Sequence, residues 1–240
     1  MELTIQDVKK GFNDRQILKG INLHVKNHEF ICVLGHSGCG KSTLLNLIAG
    51  FTQPDEGTVA VDNEIVREPS KERGVVFQEH GLFPWYTVLE NISFGPTVQG
   101  MDKKASLDKA QKYLNMIGLE AYKNHYPSEL SGGMKQRVGI ARALAGEPKL
   151  LLMDEPFGAL DVFTRENMRN ELIDIWKKLE TTIIFITHDI AEAICLADRI
   201  IVMKDGQIAS NVQVNLPRPR KLTEPGFADL LTKLEQMLVQ

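Results

Sequence analysis

Three cysteines in 240 residues, Cys32, Cys39 and Cys195, are too few and too irregularly spaced for a disulfide framework. The odd count predicts reduced thiols and a cytosolic setting. Long apolar runs are missing too. None approaches the ~18 residues needed to cross a bilayer, so a membrane-spanning chain is not expected. The opening Met1-Glu2-Leu3-Thr4 lacks the charged start and apolar stretch of a secretion signal. Neither sign of charge dominates. The formal net charge of -3 argues against a nucleic-acid binder that relies on bulk charge. No repeat or low-complexity tract is present. What is there is enough chain to bury a core.

Short apolar runs alternate with helical patterns, the signature of an α/β fold. Residues 30–34, 74–77, 150–153, 183–186 and 200–203 read as buried core strands, suited to a parallel sheet covered on both faces. Residues 3–8, 21–25 and 58–66 read as an antiparallel piece, with Asp62-Asn63 turning a hairpin. From residue 88 the pattern becomes helical and amphipathic, with 101–117 as the main helix, and looks like an insert. Residues 164–179 form another amphipathic helix, whose Met168, Leu172, Ile175 and Leu179 share a core-facing side. From Pro217 the chain is proline-rich and basic, which predicts a solvated tail that then turns helical. The expected organisation is 1–87 with 136–215 as core and β piece, 88–135 as the helical insert, and 216–240 as a short tail.

Gly35-His36-Ser37-Gly38-Cys39-Gly40-Lys41-Ser42, followed by Thr43, matches a phosphate loop, with a strand before it and a helix after. Glycines let backbone amides face phosphate oxygens, and the helix adds its positive end. Lys41 is placed to reach the β- and γ-phosphates of ATP, and the Ser42 hydroxyl to ligate magnesium. Cys39 is either a thiol whose modification blocks ATP or a small residue that fits. Asp154 and Glu155 end an apolar strand at the carboxyl edge of the sheet. Asp154 suits a magnesium ligand and Glu155 the general base for water. His188 follows residues 183–186 and could reach the γ-phosphate and that water. Gln78 follows another strand and could touch magnesium and water. The next residues, His80-Gly81-Leu82-Phe83-Pro84-Trp85, are apolar for a loop. Phe83 and Trp85 are either an interaction surface or tucked under the insert.

Leu130-Ser131-Gly132-Gly133-Met134 opens another helix with Ser131 as its N-cap. It reads as an ordinary capped start or as a second place for an anion. Lys135-Gln136-Arg137 follows, and Asp154 comes later in the same order as the other motifs.

Phe12, the phosphate loop, Gln78, Leu130 to Gln136, Leu150 to Glu155, Ala159-Leu160-Asp161 and His188 together resemble the nucleotide-binding subunit of ATP-binding cassette (ABC) transporters. The resemblance covers almost the whole chain. It implies a P-loop NTPase with a RecA-like α/β core, an antiparallel β subdomain and an inserted α-helical subdomain. It also implies a head-to-tail homodimer that sandwiches ATP. Phe12 would stack on adenine. Ser131, Gly132 and Gly133 would bind the γ-phosphate held by the other copy, and Asp161 would link the two sites. Leu82-Phe83-Pro84-Trp85, Ser131 to Arg137 and Glu155 to Asp161 are most similar to importer cassettes for nitrate, sulfonate, taurine and similar anions. Permease subunits would then dock near Gln78 to Trp85, and an external solute-binding protein would act indirectly. The subunit would sit on the cytoplasmic face of the membrane. Phe12 replaces the commoner tyrosine, and Gly158 stands where many cassettes have serine. Rival readings are a cassette ATPase of DNA repair, which would carry a long coiled coil or DNA-binding domains, and a P-loop kinase, which needs no Ser131 and no pairing. No nucleic-acid partner is expected.

Overall fold

Strand and helix alternate as the apolar periodicity dictates. The elements begin with strands β1 (Leu3–Phe12), β2 (Arg15–Val25) and β3 (Phe30–Leu34), helix α1 (Lys41–Ala49), and strands β4 (Glu56–Val61), β5 (Glu64–Ile65) and β6 (Arg73–Val76). Helices α2 (Val88–Val98), α3 (Lys103–Met116) and α4 (Gly132–Ala145) follow, then strand β7 (Leu150–Asp154) and helix α5 (Val162–Lys178). The order closes with β8 (Thr182–Thr187), α6 (Ile190–Leu196), β9 (Arg199–Lys204), β10 (Gln207–Gln213) and α7 (Pro225–Val239). The computed structural model describes residues 1–78, 81–158, 160–179 and 181–239, with residue 239 described by its backbone alone. His80, within the apolar loop, and Ala159, within the Ala159-Leu160-Asp161 motif, lie outside the described residues. Among the described residues no helix is long and apolar enough to cross a membrane.

Two units divide the chain: Met1–Ser70 with Arg169–Gln240, and Lys71–Met168. In the first, an antiparallel sheet has the order β2-β1-β4-β5. Leu3, Ile5 and Val8 bury its inner face. Asp62 and Asn63 turn the β4–β5 hairpin with φ of 48° and 67°, the left-handed pair such a turn requires. β1 runs past residue 8 to Phe12. Register shifts between Ile5 and Gly11 break the alternation there and hide the rest of the strand from a period-2 reading.

In the same unit β3 is buried along its whole length and pairs in parallel with β8 on one side and β9 on the other. Burial on both faces explains its unbroken apolar run. β10 pairs antiparallel with β9 through a turn at Asp205 and Gly206. The polar sequence Ser210-Asn211 inside β10 gave no strand signal. Leu172 and Ile175 of α5 are buried, as their spacing predicts, while Leu179 of the same face is half-buried.

The basic segment after Pro217 is not a solvated tail. Arg220 is buried, and its guanidinium donates to the carbonyls of Ile194, Ala197, Val214 and Leu216. Arg218 donates to Asp198 at 2.7 Å, also reaches the Leu196 carbonyl, and lies 4.7 Å from the Trp176 ring centre. Ile194, Leu196 and Ala197 are at the end of α6, where helix carbonyls lack intrahelical partners. The two arginines satisfy them at the negative end of the helix dipole. Burial pushes the Arg220 guanidinium down to about 10. Arg220→Ala strands several buried acceptors, so it should cost about 2–4 kcal/mol of unfolding free energy, read from urea midpoints at constant m. A loss under about 0.5 kcal/mol would restore the solvated-tail reading.

In the second unit β6 and β7 pair in parallel, with Val76 opposite Met153. Helices α2, α3 and α4 enclose their own core, in which Val88, Ile92, Ala110, Leu114 and Val138 are buried. Asp102 caps α3 by accepting from the amides of Lys104 and Ala105, which fixes the start of the expected main helix.

Candidate functional site

The phosphate loop leaves β3 at Leu34, and Leu34 pairs with Thr187 of β8. The loop and His188 therefore emerge from neighbouring strands at one carboxyl edge, where α/β proteins bind ligands. The loop is built tightly. A Cβ at Gly35 would lie 2.4 Å from the Met203 carbonyl oxygen and 2.8 Å from the Cys39 sulfur, so only glycine fits. Gly40 has φ of 105° immediately before α1, and its Cβ would lie 2.6 Å from Leu18. His36, Ser37 and Gly38 are exposed, Ser42 is exposed, and Thr43 is half-buried.

Lys41 is buried, yet its ammonium is folded into the loop. It donates to the carbonyls of Gly35 at 2.8 Å and His36 at 2.9 Å. The charge is thus held at the loop's centre, where phosphate oxygens can replace the two carbonyls. Burial pushes the Cys39 thiol up, which suppresses the reactive thiolate. This favours Cys39 as a small residue that fits over a redox control point. Phe12 ends β1 half exposed, with the Lys10 ammonium 5.4 Å from its ring centre. It presents an open aromatic platform.

In the second unit, Gln78 and Asp154 leave β6 and β7 at one edge of that strand pair, because Val76 is opposite Met153. Gln78 is exposed, while Asp154 and Glu155 are half-buried. Glu155 adopts φ of 45°, the left-handed region that glutamate rarely occupies. Such strain costs on the order of 1 kcal/mol and persists where the surroundings over-determine it.

Ser131 caps α4 by accepting from the Met134 amide at 3.3 Å. Ser131 and Gly132 are exposed, so the start of the helix is open. A Cβ on Gly133 would meet Leu160 at 3.2 Å. The capped start of α4 therefore packs beside the Leu160-Asp161 turn, and the structure brings those two motifs together within one unit. Asp161 accepts from the Thr164 amide at 2.9 Å at the start of α5. That bond and one from the Thr164 hydroxyl hold its carboxyl below the usual range. Ser131→Ala should remove about 1 kcal/mol of capping energy.

The alternatives for Phe83 and Trp85 resolve differently for each ring. Phe83 is half-buried, 4.6 Å from Phe94 and 5.6 Å from Tyr86 between ring centres. Trp85 is 67% exposed, too open for a core residue. Two residues that the motifs did not single out hold this turn. Buried Asn91 donates to the carbonyls of Phe83, Tyr86 and Thr87 and accepts from the Phe83 amide at 2.9 Å. Arg142 donates to the Gly81 carbonyl at 2.7 Å, with its guanidinium 5.4 Å from the centre of the Phe83 ring. Burial lowers the Arg142 pKa. Trp85 is thus displayed on a braced turn.

A family model described as ABC transporter matches residues 18–158. The nitrate import ATP-binding protein NrtD of Synechocystis sp. is 50% identical over 223 residues, covering 90% of this chain and 84% of that protein. The aliphatic sulfonates import ATP-binding protein SsuB of Bacillus thuringiensis subsp. konkukian is 45% identical, covering 98% of this chain and 95% of that protein. The dimeric post-hydrolysis structure of the ATP-binding cassette MJ0796, bound to ADP and Pi, aligns with a TM-score of 0.81 at 34% identity. It covers 90% of this chain and 100% of that one.

Proposed function

The chain belongs to the ABC transporter family of ATP-hydrolysing cassettes, and on that premise we propose that it energises import of a small anion such as nitrate, a sulfonate or taurine. The observation that carries this reading is the pair of helix starts suited to phosphate. One lies behind Lys41 and the other behind Ser131. One chain thereby offers both halves of an ATP sandwich, and two copies in head-to-tail arrangement complete two sites. The dimeric state of the cassette MJ0796 bound to ADP and Pi supports this arrangement.

In this mechanism Lys41, Gln78 and His188 hold the γ-phosphate on one copy, and Ser131 with Gly132 and Gly133 holds it from the other. Phe12 stacks on adenine. Glu155 takes the proton from the attacking water as general base. Asp161 links the two sites across the dimer. Ser42, Gln78 and Asp154 offer the few oxygen donors that magnesium takes, and the bound ion would neutralise phosphate charge. Hydrolysis removes the phosphate that joins the halves, and the dimer relaxes open. ATP drives closure only as far as it binds the closed state better than the open one.

The subunit would sit peripherally at the cytoplasmic face of the membrane, with Trp85 and its braced turn as the docking point for a permease. An external solute-binding protein would choose the cargo, and no nucleic acid takes part. The segment 88–135 would be the inserted signature subdomain, 1–87 with 136–215 the core and β subdomain, and 216–240 a short C-terminal segment. The test is uptake of labelled nitrate, taurine, alkanesulfonates and bicarbonate by cells whose native allele is replaced by Glu155→Gln. Selective loss of one cargo is expected. Normal uptake of all four would contradict the anion-importer reading while leaving the ATP chemistry in place.

A further inference from the structure

We propose that helix α7 is an inhibitory latch on the phosphate loop, loosened when nucleotide phosphates enter. The proposal rests on the reading of that loop as the ATP site. α7 is anchored by Phe227 and Leu234, both fully buried, and it packs against α6 and β9. Its last turn does something the anchoring does not require. The Leu238 carbonyl accepts a 3.0 Å hydrogen bond from Nε2 of His36, 202 residues earlier in the chain. A carbonyl only accepts, so this bond fixes the proton on Nε2 of His36.

His36 is therefore engaged twice. Its side chain holds the end of α7, and its own carbonyl accepts from the Lys41 ammonium at 2.9 Å and from the Cys39 amide at 3.4 Å. For Lys41 to meet a phosphate it must leave the carbonyls of Gly35 and His36. The helix end that steadies His36 thus steadies the arrangement in which the lysine is withdrawn. The charge pattern has the same sense. The final turn of α7 presents the negative end of a helix dipole beside a loop that must accept a polyanion. Helix docking and nucleotide binding oppose each other, and linkage makes the effect reciprocal. The His36–Leu238 bond is exposed. A net contribution typical of one hydrogen bond changes an equilibrium by about 2- to 10-fold, enough to bias the loop without locking it.

The experiment uses the full chain and ADP, which fills the loop without requiring a second copy. Hydrogen exchange of the amides in residues 231–238 is compared with and without saturating ADP, and ADP affinity is measured by calorimetry. We expect ADP to speed that exchange by about 2- to 10-fold. His36→Ala should speed it similarly without nucleotide and tighten ADP binding by about the same factor. Leu234→Ala, which loosens α7 without touching the loop, should also tighten ADP binding. Unchanged or slower exchange in the ADP-bound chain would overturn the latch, as would unchanged or weaker ADP binding by His36→Ala. Failure of the parent chain to bind ADP at all would overturn the reading of the loop itself.

Discussion

Lys41→Ala should abolish the enzyme as an ATPase, lowering kcat/KM by about 10³-fold or more. The ammonium is the buried cation at the centre of the phosphate loop. Charge-assisted hydrogen bonds contribute ~1.5–3 kcal/mol each, so nucleotide affinity alone should fall about 10- to 100-fold. The remainder comes from charge stabilisation that grows in the transition state. The checks are nucleotide titration and steady-state phosphate release. Melting of the nucleotide-free variant separates the effect from unfolding, because Gly35 and His36 also lose a donor. Retention of ATP affinity within two-fold in a folded variant would remove Lys41 from the phosphate site.

This much was legible in the sequence because the phosphate loop depends on residue type at fixed spacing. A Cβ would clash at Gly35 and Gly40, Lys41 is the buried cation that bonds the loop's own carbonyls, and a buried strand precedes them. The core strands were legible for a related reason, since a strand covered on both faces must be apolar throughout. Other features left no such trace. Arg218 and Arg220 bond to backbone carbonyls at the end of α6, and every residue type presents the same carbonyl. Basic side chains beside prolines therefore read as solvated when they are helix caps. Asn91 and Arg142 were missed likewise, since their partners are the carbonyls of the 81–87 turn. The left-handed φ of Glu155 is set by its surroundings, and a glutamate gives no signal of it.

Glu155→Gln should leave nucleotide binding within a few-fold of the parent and lower the hydrolysis rate by about 10²- to 10⁴-fold. The amide is nearly isosteric and keeps the local shape, but it cannot take the proton of water. Backbone strain supplies a second readout at this position. Glu155→Gly should relax the φ of 45° and gain roughly 0.5–1 kcal/mol in stability while remaining inactive. Strain is then separable from catalysis: one variant keeps the strained backbone and the other removes it, and both should hydrolyse ATP far more slowly than the parent. Hydrolysis by Glu155→Gln within about ten-fold of the parent would assign the general base to another group, with His188 the next residue to replace.

Two complementary halves on one chain imply that ATP joins two copies head to tail. The most direct measurement is the solution mass of the full chain carrying Glu155→Gln, by light scattering, without nucleotide and with saturating ATP. A monomer is expected without ATP and a stable dimer with it. Adding Ser131→Ala should abolish the dimer while each chain still binds ATP. A monomer of the Glu155→Gln chain at saturating ATP, with nucleotide demonstrably bound, would contradict this pairing.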